Sequence, residues 1–133
     1  MNRPIRRIAP LALAVLAVGG LTVPSMSGAA STKTCKISAS KARSLGATYV
    51  TYAAGKPGFK VRGTSCASGQ AVIKSFHGCR LKKGKKGRCT TKVKGYSCTD
   101  KRPSSLQSPL SYDGNVTCSS GSKRIIHTYQ QNT

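Results

Sequence analysis

The sequence predicts an α+β domain: one short helix packed on an antiparallel sheet of about five strands, stapled by three disulfides. Three observations carry the prediction. Val72, Ile73 and Phe76 fall at i, i+1 and i+4, the spacing of one helix face. The flanking segments are short runs of strand-favouring residues, separated by turns rich in Gly, Pro and Ser. Six cysteines stand in a chain whose first thirty residues have the form of a secretory leader.

That leader is expected over residues 1–30. It has a basic start (Arg3, Arg6, Arg7), an apolar stretch from Leu11 to Val23, and small residues at Ser27-Gly28-Ala29-Ala30 for cleavage. The apolar stretch is too short and too interrupted by Gly19, Gly20 and Pro24 to read as a transmembrane helix. Residues 31–133 are then a single disulfide-bonded domain with a secreted, extracellular location.

Within that domain, Cys35-Lys36-Ile37 is expected as a short strand. Ser40 to Leu45 is expected as one helical turn, capped by Ser38 or Ser40 and ended by Gly46. Thr48 to Tyr52 is a strand by composition. Ala54-Gly55-Lys56-Pro57-Gly58 is a turn, and Phe59-Lys60-Val61-Arg62 alternates as a half-buried strand, which closes a hairpin. Thr64 or Ser65 caps the main helix and Gly78 is expected to end it.

Thr91 to Cys98 reads as a strand with a bulge at Gly95. Asp100 to Ser111 reads as a loop, and Asn115 to Cys118 as a short strand. Ser119 to Ser122 is a turn. Lys123 to Tyr129 is the last strand, with Ile125, His127 and Tyr129 on one face, and a polar tail follows. Val50, Phe59, Val61, Ile73, Phe76, Val93, Val116 and Ile125 are the expected core.

Charge is the dominant feature of the composition. The chain carries 23 Lys+Arg against 2 Asp+Glu. Loss of Arg3, Arg6 and Arg7 with the leader leaves 20 basic residues against Asp100 and Asp113, a net +18. Self-repulsion at that charge opposes compaction, and a domain of this size buries only a modest core. Disulfides, each worth ~2–4 kcal/mol, are the usual remedy in exported chains.

Six cysteines allow 15 pairings, and spacing alone does not choose among them. Cys79 and Cys89 enclose nine residues, of which six are cationic: Arg80, Lys82, Lys83, Lys85, Lys86 and Arg88. A bond across the base of that loop holds mutually repelling charges together, so Cys79–Cys89 is expected. Cys98 and Cys118 lie near corresponding points of neighbouring strands and are paired next, which leaves Cys35–Cys66. There is no C-x-x-C and no paired Cys/His spacing of a zinc site, so no metal is expected. No cofactor motif is present either. From Gly78 to Gly84-Lys85 the spacing is one residue too long for a phosphate-binding P-loop, and Lys86 stands where Ser or Thr is required.

Three short motifs carry a resemblance. They are Ser65-Cys66-Ala67 at the helix start, Val93-Lys94-Gly95-Tyr96-Ser97-Cys98, and Val116-Thr117-Cys118-Ser119-Ser120-Gly121-Ser122-Lys123. Together with the ending His127-Thr128-Tyr129-Gln130-Gln131-Asn132, this chain from about Gly63 onward resembles a group of small, largely uncharacterised, exported cysteine-containing proteins of actinobacteria. The resemblance implies secretion and a helix-plus-sheet fold. It implies no activity.

The functional expectation is a non-enzymatic binder of anionic polymers or surfaces. Arg80, Lys82, Lys83, Lys85, Lys86 and Arg88 are the candidate anion-binding residues. Partners of the right chemistry are nucleic acid, a cell-wall polymer, an anionic glycan or an anionic membrane surface. Two alternatives stand beside it. A small ribonuclease-like enzyme would use His77 and His127 as acid and base. A protein-interaction or inhibitor module would present Arg80 or Lys82 to a partner such as a protease. A Ser-His-Asp hydrolase is disfavoured further, since there is no G-x-S-x-G turn and little room for a triad scaffold.

Overall fold

The computed structural model describes residues 30–133. The expected leader thus lies, apart from Ala30, outside the described residues. The elements run β1 (Thr32–Lys36), α1 (Ala39–Arg43), β2 (Tyr49–Ala53), β3 (Lys56–Arg62), α2 (Cys66–Leu81), β4 (Ser97–Lys101), a 3-10 turn (Ser104–Leu106), β5 (Ser111–Ser120) and β6 (Lys123–Asn132). The strands form one antiparallel sheet in the order β1-β3-β2-β6-β5-β4, with β3 also paired to β6. The fold is α+β: one main helix on a six-stranded sheet, held by three disulfides.

β6 organises the sheet. Along its whole length it pairs with β5, from Ser111↔Asn132 to Ser120↔Lys123. On its other edge the C-terminal half takes β2 (Val50↔Tyr129) and the N-terminal half takes β3 (Val61↔Ile125). The alternation of β6 puts Ile125, His127, Tyr129 and Gln131 inward. On the facing side α2 supplies Val72, Ile73, Phe76, His77 and Arg80. Helix and sheet meet closely at Gly69, where a Cβ would lie 2.5 Å from Phe59 Cε2 and 2.9 Å from Val61 Cγ1. All eight expected core residues are buried.

Ser65 caps α2, its hydroxyl accepting from the Ser68 N–H at 3.1 Å. Ser38 does the same for α1, accepting from Lys41 N–H at 3.1 Å. The three disulfides join Cys35 to Cys66, Cys79 to Cys89 and Cys98 to Cys118. The first ties edge strand β1 to the start of α2. The last joins directly opposed residues of β4 and β5.

Four local expectations are corrected. The helix passes through Gly78 and ends at Leu81. A mid-helix glycine costs only about 1 kcal/mol relative to Ala. Here the extra turn carries Cys79, which is disulfide-bonded, and Arg80, which is fully buried and hydrogen-bonded. Gly95 is not a bulge. Val93 and Tyr96 exchange two backbone hydrogen bonds of 2.9 Å across a two-residue turn, with φ of 48° at Lys94 and 79° at Gly95. Positive φ at both central residues is the hairpin-turn geometry, so the strand begins only at Ser97. β5 starts at Ser111 rather than Asn115, and β4 extends to Lys101 into the segment expected as loop. The tail is not free either: β6 continues to Asn132, with Gln131 buried.

Candidate anion-binding site

The basic loop leaves α2 at Lys82 and closes at Cys89, which is disulfide-bonded back to Cys79 of α2. Lys82, Lys83, Lys85, Lys86 and Arg88 are all exposed. Arg80 is not among them. It is 0% exposed, so the expected six-cation surface presents five cations. Its place is set by helix spacing: Phe76, His77 and Arg80 lie on the face of α2 that meets the sheet.

The Arg80 guanidinium is satisfied by neutral acceptors. Nε donates to His77 Nδ1 at 2.7 Å. Nη1 donates to Lys85 O at 3.0 Å and to Tyr112 OH at 3.1 Å. Nη2 donates to Gly46 O at 3.3 Å and to Gln131 Oε1 at 2.6 Å. The cation also sits over the Tyr129 ring, 4.6 Å from its centroid. Burial, first of all, makes this guanidinium a weaker base than usual, against the pull of Tyr112 and Tyr129.

A second arginine completes the fastening. Arg102, on the loop after β4, pairs with Asp100 at 2.7 Å. It donates to Lys86 O at 2.7 Å and to Gly87 O at 2.6 Å, and lies over the Tyr112 ring at 4.6 Å. Tyr112 OH donates to Lys85 O, and Arg88 Nη1 reaches Asp100 O at 2.7 Å. Three successive carbonyls of the loop, at Lys85, Lys86 and Gly87, are thus held by donors on the buried Arg80 and Tyr112 and the half-buried Arg102. The lysine side chains at 85 and 86 lie outward in solvent. Gly87 leaves no room for a side chain, since a Cβ there would meet Arg80 O.

His77 and His127 are brought together but sealed off. They are 0% and 1% exposed, with Nε2 atoms 3.3 Å apart. Because His77 Nδ1 accepts from Arg80, its proton is on Nε2 and donates to His127 Nε2. The His127 proton is then on Nδ1, which has no partner among the described residues. Burial, then Arg80, pulls His127 down to about 3. Burial, then His127, Arg80 and Arg102, holds His77 well below its ordinary value. Both rings are neutral at pH 7. In this arrangement neither ring reaches a phosphate in solvent, and the space between them is filled by their mutual hydrogen bond. Tyr129, edge-on to His77 at 4.8 Å, is raised above the ordinary phenol value by burial and by Asp100, and its hydroxyl donates to that carboxylate.

Sequence reasoning missed Arg102, Asp100, Tyr112, Tyr129 and Gln131 as parts of this assembly. Asp100 carried the available signal. With two acids in the chain, an aspartate two residues from an arginine is a strong candidate for an internal ion pair. No group of three or more His, Cys, Asp or Glu residues could hold a metal ion among the described residues. No helix among them is long and apolar enough to cross a membrane. In comparison with known proteins, no family model matches the chain, and no curated protein or solved structure matches it significantly.

Proposed function

We propose that this protein is a secreted, non-enzymatic binder of anionic polymers or surfaces, acting through Lys82, Lys83, Lys85, Lys86 and Arg88. The observation that carries the reading is the fastening of the loop: three consecutive carbonyls are held from inside, so five cations stay clustered and exposed despite their repulsion. Such a cluster displaces counterions from a polyanion and gives binding that is salt-dependent and largely independent of sequence. Three disulfides and a leader-like start support an oxidising, extracellular setting. The resemblance to exported actinobacterial proteins points the same way. The two histidines of the ribonuclease alternative are engaged with each other and with Arg80.

The test is affinity for DNA, RNA, heparin and teichoic acid across a salt series. Neutralising Lys82, Lys83, Lys85 and Lys86 to Gln lowers the log–log salt slope by up to about 3.6, at roughly 0.7–0.9 per lost phosphate contact. An unchanged slope overturns the assignment of the loop.

A further inference from the structure

Next to the basic loop lies an open groove of about 410 Å³. Its lining includes the cationic Lys86, Arg88 and Arg102, the neutral Ser104 and Gln107 from the segment around the 3-10 turn, and Tyr112. The Arg102 charge is neutralised within the protein by Asp100. Lys86 and Arg88 are exposed, and of the Arg88 guanidinium only Nη1 has a partner among the described residues. Gln107 Nε2 is held by Pro103 O at 3.0 Å. This bond orients the amide and leaves its Oε1 with no partner among the described residues. Ser104 Oγ has none either. Free cations and free neutral hydrogen-bonding groups thus line one groove.

The aromatic surface of the groove is spent. Tyr112 is 3% exposed, one face of its ring is covered by the Arg102 guanidinium, and its hydroxyl is committed to Lys85 O. A nucleobase therefore finds no ring to stack on here, and stacking is the main base-directed contribution in single-strand binding. Hydroxyl and amide groups beside two cations suit a sugar bearing a phosphate or sulfate: the oxyanion on Lys86 and Arg88, the ring hydroxyls on Ser104 and Gln107.

We propose that this groove is a saccharide subsite, which makes an anionic glycan, rather than a single-stranded nucleic acid, the polyanion preferred by the protein. The inference rests on the polyanion reading above and adds a selectivity that a bare charge cluster lacks. Phosphate and sulfate share the recognition chemistry, so both sources belong in the test.

The experiment compares wild type, the groove variant S104A/Q107A, and the loop variant K82Q/K83Q/K85Q, which leaves the groove intact. Probes are a heparin hexasaccharide, a glycerol-phosphate teichoic acid fragment bearing sugar substituents, inorganic polyphosphate and single-stranded DNA, at matched charge and several salt concentrations. The groove variant is expected to lose about five- to tenfold in affinity for whichever glycan binds, consistent with two modest hydrogen bonds. Its binding to polyphosphate and DNA, and its salt slope, stay unchanged. Amide NMR shifts on adding the glycan are expected to include Ser104 and Gln107, a readout independent of the variants. The saccharide subsite is overturned if the groove variant binds glycan as wild type does, or loses affinity equally for polyphosphate. A loop variant with an unaltered slope overturns instead the polyanion reading itself.

Discussion

Acidification provides the sharpest test of the buried network. His127 has a folded-state pKa of about 3 against an ordinary 6.5, chiefly through burial. Between those values the unfolded chain binds a proton that the folded protein does not, so stability is full above about pH 6.5 and is lost as pH falls toward 3. One such group changes the unfolding free energy by at most about 1.4 kcal/mol per pH unit, or about 2 kcal/mol from pH 6.5, where the unfolded imidazole is half protonated, to 4.5. His77 is shifted in the same direction and steepens the loss.

The structural reason is specific. A second proton on His127 would lie on Nε2, donor against the donor Nε2–H of His77, with the Arg80 guanidinium just beyond. Phe76 and Tyr129, the rings packed around the pair, offer no compensating acid. The chain has no glutamate and two aspartates, so few other groups compete in this window. The assay is urea unfolding of the disulfide-intact protein at pH 7.5, 6.5, 5.5 and 4.5. His127→Leu serves as control and is expected to remove roughly half of the slope. An unfolding free energy that stays flat from pH 6.5 to 4.5, within the error of extrapolation, would refute the assignment of a neutral, sealed pair.

Other perturbations probe the loop and its anchors. Arg80→Met strands acceptors at Gly46, Lys85, His77 and Gln131, and is expected to cost about 3 kcal/mol or more in urea unfolding. Faster amide exchange across residues 82–88 should accompany it. Tyr112→Phe removes the hydroxyl between Arg80 and Lys85 O but keeps the ring under Arg102, so a loss of only about 1 kcal/mol is expected by the same assay. Replacing Cys79 and Cys89 by Ser is expected to lower stability by about 3 kcal/mol, from the chain entropy of so short a loop. The salt slope of polyanion binding should nonetheless be nearly retained, because the carbonyls at 85–87 remain fastened from inside.

The α+β class was legible because its signals are local. Val72, Ile73 and Phe76 announce the helix, Ala54-Gly55 announces the hairpin (although β3 starts at Lys56, inside the expected turn), and Ile125, His127 and Tyr129 alternate along the last strand. The disulfides of the structure join the pairs formed from loop closure, strand neighbours and remainder. Misread stretches were those where tertiary contacts override local preference. Gly78 is a strong stop signal alone, yet a disulfide and a buried arginine carry the helix a turn past it. Gln131 reads as tail until Arg80 supplies a donor for its amide oxygen. The site was legible as composition but not as orientation: six cations in nine residues are visible, whereas which one turns inward depends on the i, i+3 and i+4 relation of Arg80 to His77 and Phe76 against a sheet assembled from distant segments.

The choice of acceptors explains how a domain of net +18 keeps its charge usable. A loop of cations can be fixed by carboxylates, but each such contact would cancel one of the charges being presented. Here the fixing groups are mostly neutral: carbonyls at Gly46, Lys85, Lys86 and Gly87, a glutamine oxygen, a tyrosine hydroxyl and an imidazole nitrogen. Asp100 is the exception, and it neutralises Arg102 rather than a loop residue. Arg80 keeps its full charge beneath the loop, where solvent ions screen it less than they screen the lysines above. Its positive potential therefore adds to that of the five exposed cations. The residue expected among the exposed cations instead supports the loop from below, both by holding Lys85 O and by adding to the positive field that a polyanion would meet under the proposed function.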